Sequence, residues 1–116
     1  DSYLQLIEVA LLVPGDVVVG ISQSGSSKDP VYTLQQAKAN GVSTICITGN
    51  AQSPITQYAD VTLLSVAREA RIEAIASRIA QMSIADALYI IVALNNIDAA
   101  IQNEKLIWDA LLPKMF

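Results

Sequence analysis

Two short runs rich in β-branched residues, DVVVGIS from Asp16 and VSTICIT from Val42, constrain the fold of this chain more than any other feature. Neither alternates apolar with polar residues, the pattern of strands covered on both faces in a parallel sheet. Between them, PVYTLQQAKAN presents Val31, Leu34 and Ala37 at helical spacing, and Asn40-Gly41 closes that helix through a left-handed residue. Strand, helix, strand is a βαβ unit. A third strand, DVTLLS from Asp60, follows GNAQSPITQYA, a loop with room for one helical turn.

Helices fill the remainder. SYLQLIEVALLV places Leu4, Ile7 and Leu11 on one face, with Ser2 as a candidate N-cap and Pro14-Gly15 as the stop. A long helix is expected from Arg68 to about Asn96, amphipathic through Ile72, Ile75, Ile79 and Met82, then apolar on all sides from Ala85 to Leu94. Asp98 is a candidate N-cap for a last helix ending at Leu112, before Pro113. The expected fold is α/β: a single domain over residues 1–116, with helices around a parallel, flavodoxin-like sheet in a three-layer α/β/α arrangement. Three strands are few for such a sheet.

Composition then narrows the function. Seven basic against eleven acidic residues give a formal charge of −4, so the chain as a whole lacks the positive field that nucleic acid or an anionic membrane attracts. The absence of histidine removes the usual zinc sites and every Ser-His-Asp or Cys-His arrangement; no metal or cofactor is expected. Cys46, the single cysteine, reads as a small core residue, and a lone cysteine suits a reducing compartment. The most apolar stretch, ALYIIVALNN, is too short to span a bilayer, and the expected location is cytoplasmic.

The chemistry concentrates in ISQSGSSKDP, residues 21–30. In open α/β sheets ligands gather at the carboxyl ends of strands, which is where this stretch falls. Ser22, Ser24, Ser26 and Ser27 supply hydroxyls, Gly25 lets the backbone turn, and the next helix directs free N–H groups at the same place. Lys28 adds a charge or points to solvent. Two readings stay open on these residues alone: a phosphate cradle, or an ordinary turn in which Ser27 or Asp29 caps the helix. A nucleotide loop is disfavoured, because neither the glycine-lysine-serine of a Walker A loop nor three spaced glycines are present.

In order along the chain, DVVVGISQSGSSKDP, GVSTICITGN, SPITQYADVTLLS and ARIEAIASRIAQMSIADALY resemble the sugar isomerase (SIS) phosphosugar-binding domain. More narrowly, the chain is similar to the effector domain of RpiR/MurR-type bacterial transcriptional regulators, over about Leu11 to Asn96. The motif SQSGSS stands against the family's Ser-x-Ser-Gly-x-Ser/Thr, and the SRIAQMSIADALY helix marks the regulator branch. The resemblance implies a sugar phosphate held by Ser22, Ser24 and Ser27, with the backbone of Gln23 and Gly25 joining. Ser26, at the variable position, ranks lower. Thr48 and Gly49 of ITGN line the neighbouring edge, and Glu69 matches an acidic position that contacts sugar hydroxyls. Glu69 is also favourable dipole chemistry in a helix's first turn.

The family pattern opens with an earlier strand and a glycine-and-serine loop that contributes another phosphate-binding serine, and the regulators carry a helix-turn-helix domain further upstream. Neither stands before Asp1 in this sequence, so the expectation is the later part of an SIS domain, reaching DNA only through an upstream domain. The uncovered sheet edge and apolar helices predict self-association as a homo-dimer or tetramer, or strand exchange. Two functions compete: a sensor that reads a sugar phosphate, and an isomerase in which Glu69 is the sole candidate base.

Overall fold

The computed structural model describes residues 1–68 and 75–115. Contacts divide the chain into two compact units, Asp1–Ile84 and Ala85–Phe116. In the first, helix α1 (Ser2–Leu11), strand β1 (Val17–Ile21), helix α2 (Lys28–Ala39), strand β2 (Ser43–Thr48), a 3-10 turn (Pro54–Tyr58) and strand β3 (Val61–Leu64) follow one another. Helix α3 (Ile75–Asn95) begins there and continues into the second unit, which adds helix α4 (Ile97–Leu111) and a 3-10 turn (Leu112–Lys114).

The three strands form a parallel sheet in the order β1-β2-β3, with Val19 opposite Ile45 and Ile45 opposite Val61. The βαβ unit is therefore as expected. Gly41, at φ 74°, supplies the left-handed residue after α2, while Asn40 itself stays at φ −83°. α2 begins two residues before Pro30, at Lys28, with Ser27 at the N-cap position.

One face of the sheet is well covered. Leu34 and Ala37 of α2, both fully buried, pack there with Cys46 and Ile55, and with Val9 and Val42. Cys46 is thus a core residue. Leu34 lies so close over Gly20 that a Cβ at Gly20 would collide with its Cδ1. The other face departs from the expectation of a strand buried on both sides: Val17, Val19 and Ile21 are 56%, 44% and 46% exposed. β1 also has no partner strand on its outer edge among the described residues.

Several helical expectations are corrected. Asp1, not Ser2, caps α1, its Oδ1 accepting from the Tyr3 and Leu4 N–H groups at 2.8 and 3.3 Å. The buried face of α1 carries Val9, while Leu4, Ile7 and Leu11 are exposed, because only the Val9 side meets α2. Arg68 is not helical, and Ile72 lies outside the described residues. Ile75, Ile79 and Met82 form a stripe on α3 that is exposed rather than buried. For α4 the N-cap position falls on Asn96, and Asp98 sits in the first turn. All but the last residue of ALYIIVALNN belongs to the 21-residue α3, which is long and apolar enough, by length and composition, to cross a membrane. Gln81, in its first half, is hydrogen-bonded to Gln23 of the serine loop, so that half of the helix packs on the folded unit.

At the amino end of the sheet, Asp60 ties α2 to β2. Its Oδ2 accepts from the Thr44 N–H at 2.9 Å and lies 3.0 Å from the Thr44 hydroxyl, and its Oδ1 is 3.3 Å from Lys38 Nζ. The Thr44 backbone donor first, then the Thr44 hydroxyl and Lys38, hold the Asp60 carboxyl below its ordinary range. A depressed carboxylate stabilises the fold above its unfolded value, about 3.9, and that contribution is lost as pH falls through the lower folded value. The melting temperature should therefore fall more steeply between about pH 5 and 2 in the native protein than in Asp60→Asn. Parallel curves for the two would remove Asp60 from the acid response. The group is exposed and screened, so the difference will be modest.

Candidate functional site

The serine stretch leaves the carboxyl end of β1 as a loop locked from beneath. Ser22 extends the ladder, its N–H donating to the Ile47 carbonyl at 3.0 Å. The Gly25 N–H then folds back onto Ser22, 3.1 Å from its carbonyl and 3.2 Å from its hydroxyl oxygen. That turn requires Gly25 twice over. Its φ is 65°, and a Cβ there would collide with Ser53 Oγ and stand 2.9 Å from Thr48 Oγ1. The Gly25 carbonyl accepts from the Ile55 N–H at 3.0 Å, which fastens the loop to the 3-10 turn.

The hydroxyls divide into two kinds. Ser22 is buried, 7% exposed, and its Oγ lies 3.4 Å from that of Ser27. Ser24, Ser26 and Ser27 are exposed. Ser24 Oγ accepts from the Ser26 N–H at 3.2 Å, which leaves its own proton to donate outward, whereas the Ser26 hydroxyl turns back to the Ser24 carbonyl at 3.4 Å. Ser27 stands at the N-cap of α2 without making a side-chain cap bond, and Asp29, in the first turn, does not cap either. The positive end of the α2 dipole and its uncapped N–H groups therefore open beside the exposed hydroxyls of Ser24 and Ser27. Lys28 is exposed. Such a set of converging neutral donors suits an anion with several oxygens.

The remaining predicted residues behave differently from one another. Thr48 is fully buried at the carboxyl end of β2; its hydroxyl reaches the Gln23 carbonyl at 3.4 Å and accepts from the Asn50 N–H at 3.3 Å. It supports the loop from within. Gly49 is exposed, its N–H donates to the Gln23 carbonyl at 3.0 Å, and a Cβ on it would collide with Gln23 Nε2. The Gln23 side chain is turned inward, its Oε1 accepting from Ser65 Oγ at 3.1 Å and Gln81 Nε2 at 2.7 Å. Glu69 lies outside the described residues. Sequence reasoning missed Ser53, Ser65 and Gln81 as individual residues; all three lie in the stretches SPITQYADVTLLS and SRIAQMSIADALY, and Gln81, a polar residue off the stripe of Ile75, Ile79 and Met82, was the available signal for a contact on the other face of the helix. A cavity of about 460 Å³ lies along the open edge of β1, lined by Val9 of α1, Leu12 just past it, and Thr33 and Leu34 of α2, and none of these serines lines it.

Known proteins resemble this chain in sequence and in structure. The SIS domain profile matches residues 5–91. An uncharacterized HTH-type transcriptional regulator of Caldanaerobacter subterraneus is 45% identical over 95 residues, covering 80% of this chain and 34% of the relative. The HTH-type transcriptional regulator RpiR of Escherichia coli K12 is 35% identical over 102 residues, 86% of this chain and 34% of the relative. The chain thus spans about a third of the length of these curated relatives. The Vibrio vulnificus NanR protein, solved in complex with ManNAc-6P, superposes with a TM-score of 0.85 at 20% identity, over 99% of this chain and 44% of that one. At that identity the likeness speaks to the fold.

Proposed function

The chain belongs to the SIS domain family, and from that premise we propose that it is the phosphosugar-sensing part of a bacterial RpiR-type transcriptional regulator. The observation that carries the proposal is the loop of Ser22 to Ser27, whose exposed hydroxyls meet the uncapped N-terminus of α2 at the sheet's carboxyl end. In this reading Ser24 and Ser27 donate to phosphate oxygens, Ser22 sets the loop and reaches Ser27, and the backbone of Gln23 and Gly25 contributes N–H groups. Thr48 shapes the wall, and Glu69 receives the sugar hydroxyls. Occupancy alters binding of DNA by a separate helix-turn-helix domain, and the molecule works in the cytoplasm as a homo-dimer or tetramer. The apolar side chains that α3 and α4 expose, among them Tyr89, Val92 and Leu106 at 76%, 68% and 67%, offer the surface through which such copies would associate. The sensor is preferred to an isomerase because the similar curated relatives are regulators and the chain holds no histidine to serve as a base.

Thermal melts with ManNAc-6P, glucose 6-phosphate, ribose 5-phosphate and their unphosphorylated sugars test this directly. A bound ligand at a hundred times its Kd stabilises by about 2.7 kcal/mol, so one or more phosphates should raise the melting temperature while the free sugars do not. No shift with any phosphate refutes the reading. Ser24→Ala should weaken the binding of an active phosphate by about 1 to 3 kcal/mol, the loss of a hydrogen bond to a charged group. Titration calorimetry reads that change, and an unaltered Kd takes Ser24 out of the site. Turnover of one sugar phosphate into its isomer by the purified protein would favour the enzyme.

A further inference from the structure

We infer that Gln81 is a positioning residue for the serine loop, and that its bond to Gln23 is the joint through which occupancy of the loop reaches helix α3. The inference rests on the sensor reading and extends it to how the signal leaves the site. Gln23 sits between Ser22 and Ser24, so a shift of the loop backbone at either serine is passed to it directly. Its backbone carbonyl is held by the Gly49 N–H at 3.0 Å and approached by Thr48 Oγ1 at 3.4 Å. Its side chain, pressed against Gly49, accepts two hydrogen bonds at one oxygen: from Ser65 just past β3 at 3.1 Å, and from Gln81 on α3 at 2.7 Å.

These partners lie 42 and 58 residues away in sequence, so one amide carries contacts from the sheet and from α3 into the loop. Ser65 is 1% exposed and β3 is held in the sheet, which makes that side rigid. The α3 side is held differently. It meets the folded unit along the face of Ser77, which is 1% exposed, and Gln81, one turn further on, while Ile75, Ile79 and Met82 face away and are exposed, so its apolar side chains add little to that contact. A half-buried amide bond to the loop then weighs heavily in where α3 rests. A ligand that shifts Ser22 and Ser24 changes the Gln23 oxygen that Gln81 binds. By linkage, a change in that bond alters ligand affinity by the same factor.

Gln81→Leu removes the donor at similar volume, and Gln81→Glu keeps a polar partner that Gln23 can meet by turning its amide to donate. Hydrogen exchange at residues 22–27 and 75–84 is read with and without ManNAc-6P, glucose 6-phosphate or ribose 5-phosphate, whichever binds the native protein. The expected result is that ligand protects both segments in the native protein and in Gln81→Glu. Gln81→Leu should bind about five- to tenfold more weakly and lose the ligand-dependent protection at 75–84 while keeping that at 22–27. Ser65→Ala, which removes the other donor, should weaken binding yet keep protection at 75–84. Native affinity with native protection in Gln81→Leu would overturn the inference. Should no sugar phosphate bind the native protein, the sensor reading fails, and exchange without ligand still decides the joint: Gln81→Leu must speed exchange at 22–27, and unchanged rates there refute it.

Discussion

Gly25→Ala should destabilise the protein by about 2 to 4 kcal/mol and abolish binding at the serine loop. Two costs add: a side chain at left-handed φ costs about 1 to 2 kcal/mol, and forcing a methyl into a filled space costs about as much again. The φ of 65° and the collision with Ser53 Oγ place both at one residue. Gly41→Ala separates them, because Gly41 has nearly the same φ, 74°, yet its nearest atom to an added Cβ is Pro14 Cγ at 3.5 Å. Thermal melts of the two variants should therefore differ, with Gly25→Ala lower by several degrees. Binding should follow stability only for Gly25, since the methyl must push the loop off Ser53 and Thr48 and so displace the hydroxyls of Ser22 and Ser24. Equal melting temperatures for the two variants would show that the loop yields, and that its fit over Ser53 does not fix its shape.

Leu34→Ala should cost about 2 to 5 kcal/mol, the range for truncating a buried leucine where the surroundings collapse only in part. Leu34 is fully buried against Cys46 and Ile55 and covers Gly20, so its loss opens a cavity between α2 and the sheet. Urea unfolding reads the change as a lower midpoint at an unaltered slope. Leu34→Met, which keeps the volume, should lose under about 1.5 kcal/mol. A loss below about 1 kcal/mol for the alanine would mean that α2 settles onto the glycine and fills the gap. The effect should also reach the loop, because Ile55 packs against Leu34 while its N–H holds the Gly25 carbonyl.

Local signals were legible in the sequence wherever one element dictated its own form. The β-branched runs, the Asn40-Gly41 stop and the serine cluster after a strand all correspond to the structure, as does the inward helical face of Val31, Leu34 and Ala37. What was not legible depended on which surface another element would cover. α1 offers apolar residues on two sides, and only the position of α2 selects Val9 over Leu4, Ile7 and Leu11. The stripe on α3 has ideal helical spacing and still faces water, since periodicity fixes a face without naming its partner. Within the site, the distinction between Ser22, buried, and Ser24 and Ser27, exposed, needed coordinates. So did the inward turn of Gln23, whose partners are separated from it by most of the fold.

The loop's donors are hydroxyls and backbone amides, and the cation that follows it, Lys28, stands directly before Asp29. Donors of this kind act through short contacts more than through a long-range field. A pocket lined with arginine would draw polyanions from a distance and surrender them as salt rises. A neutral one answers only to an anion small enough to enter and be touched on several oxygens at once. On the proposed reading, preference for a compact phosphate ester over the phosphodiester backbone of nucleic acids would rest on the shape of the loop more than on its charge.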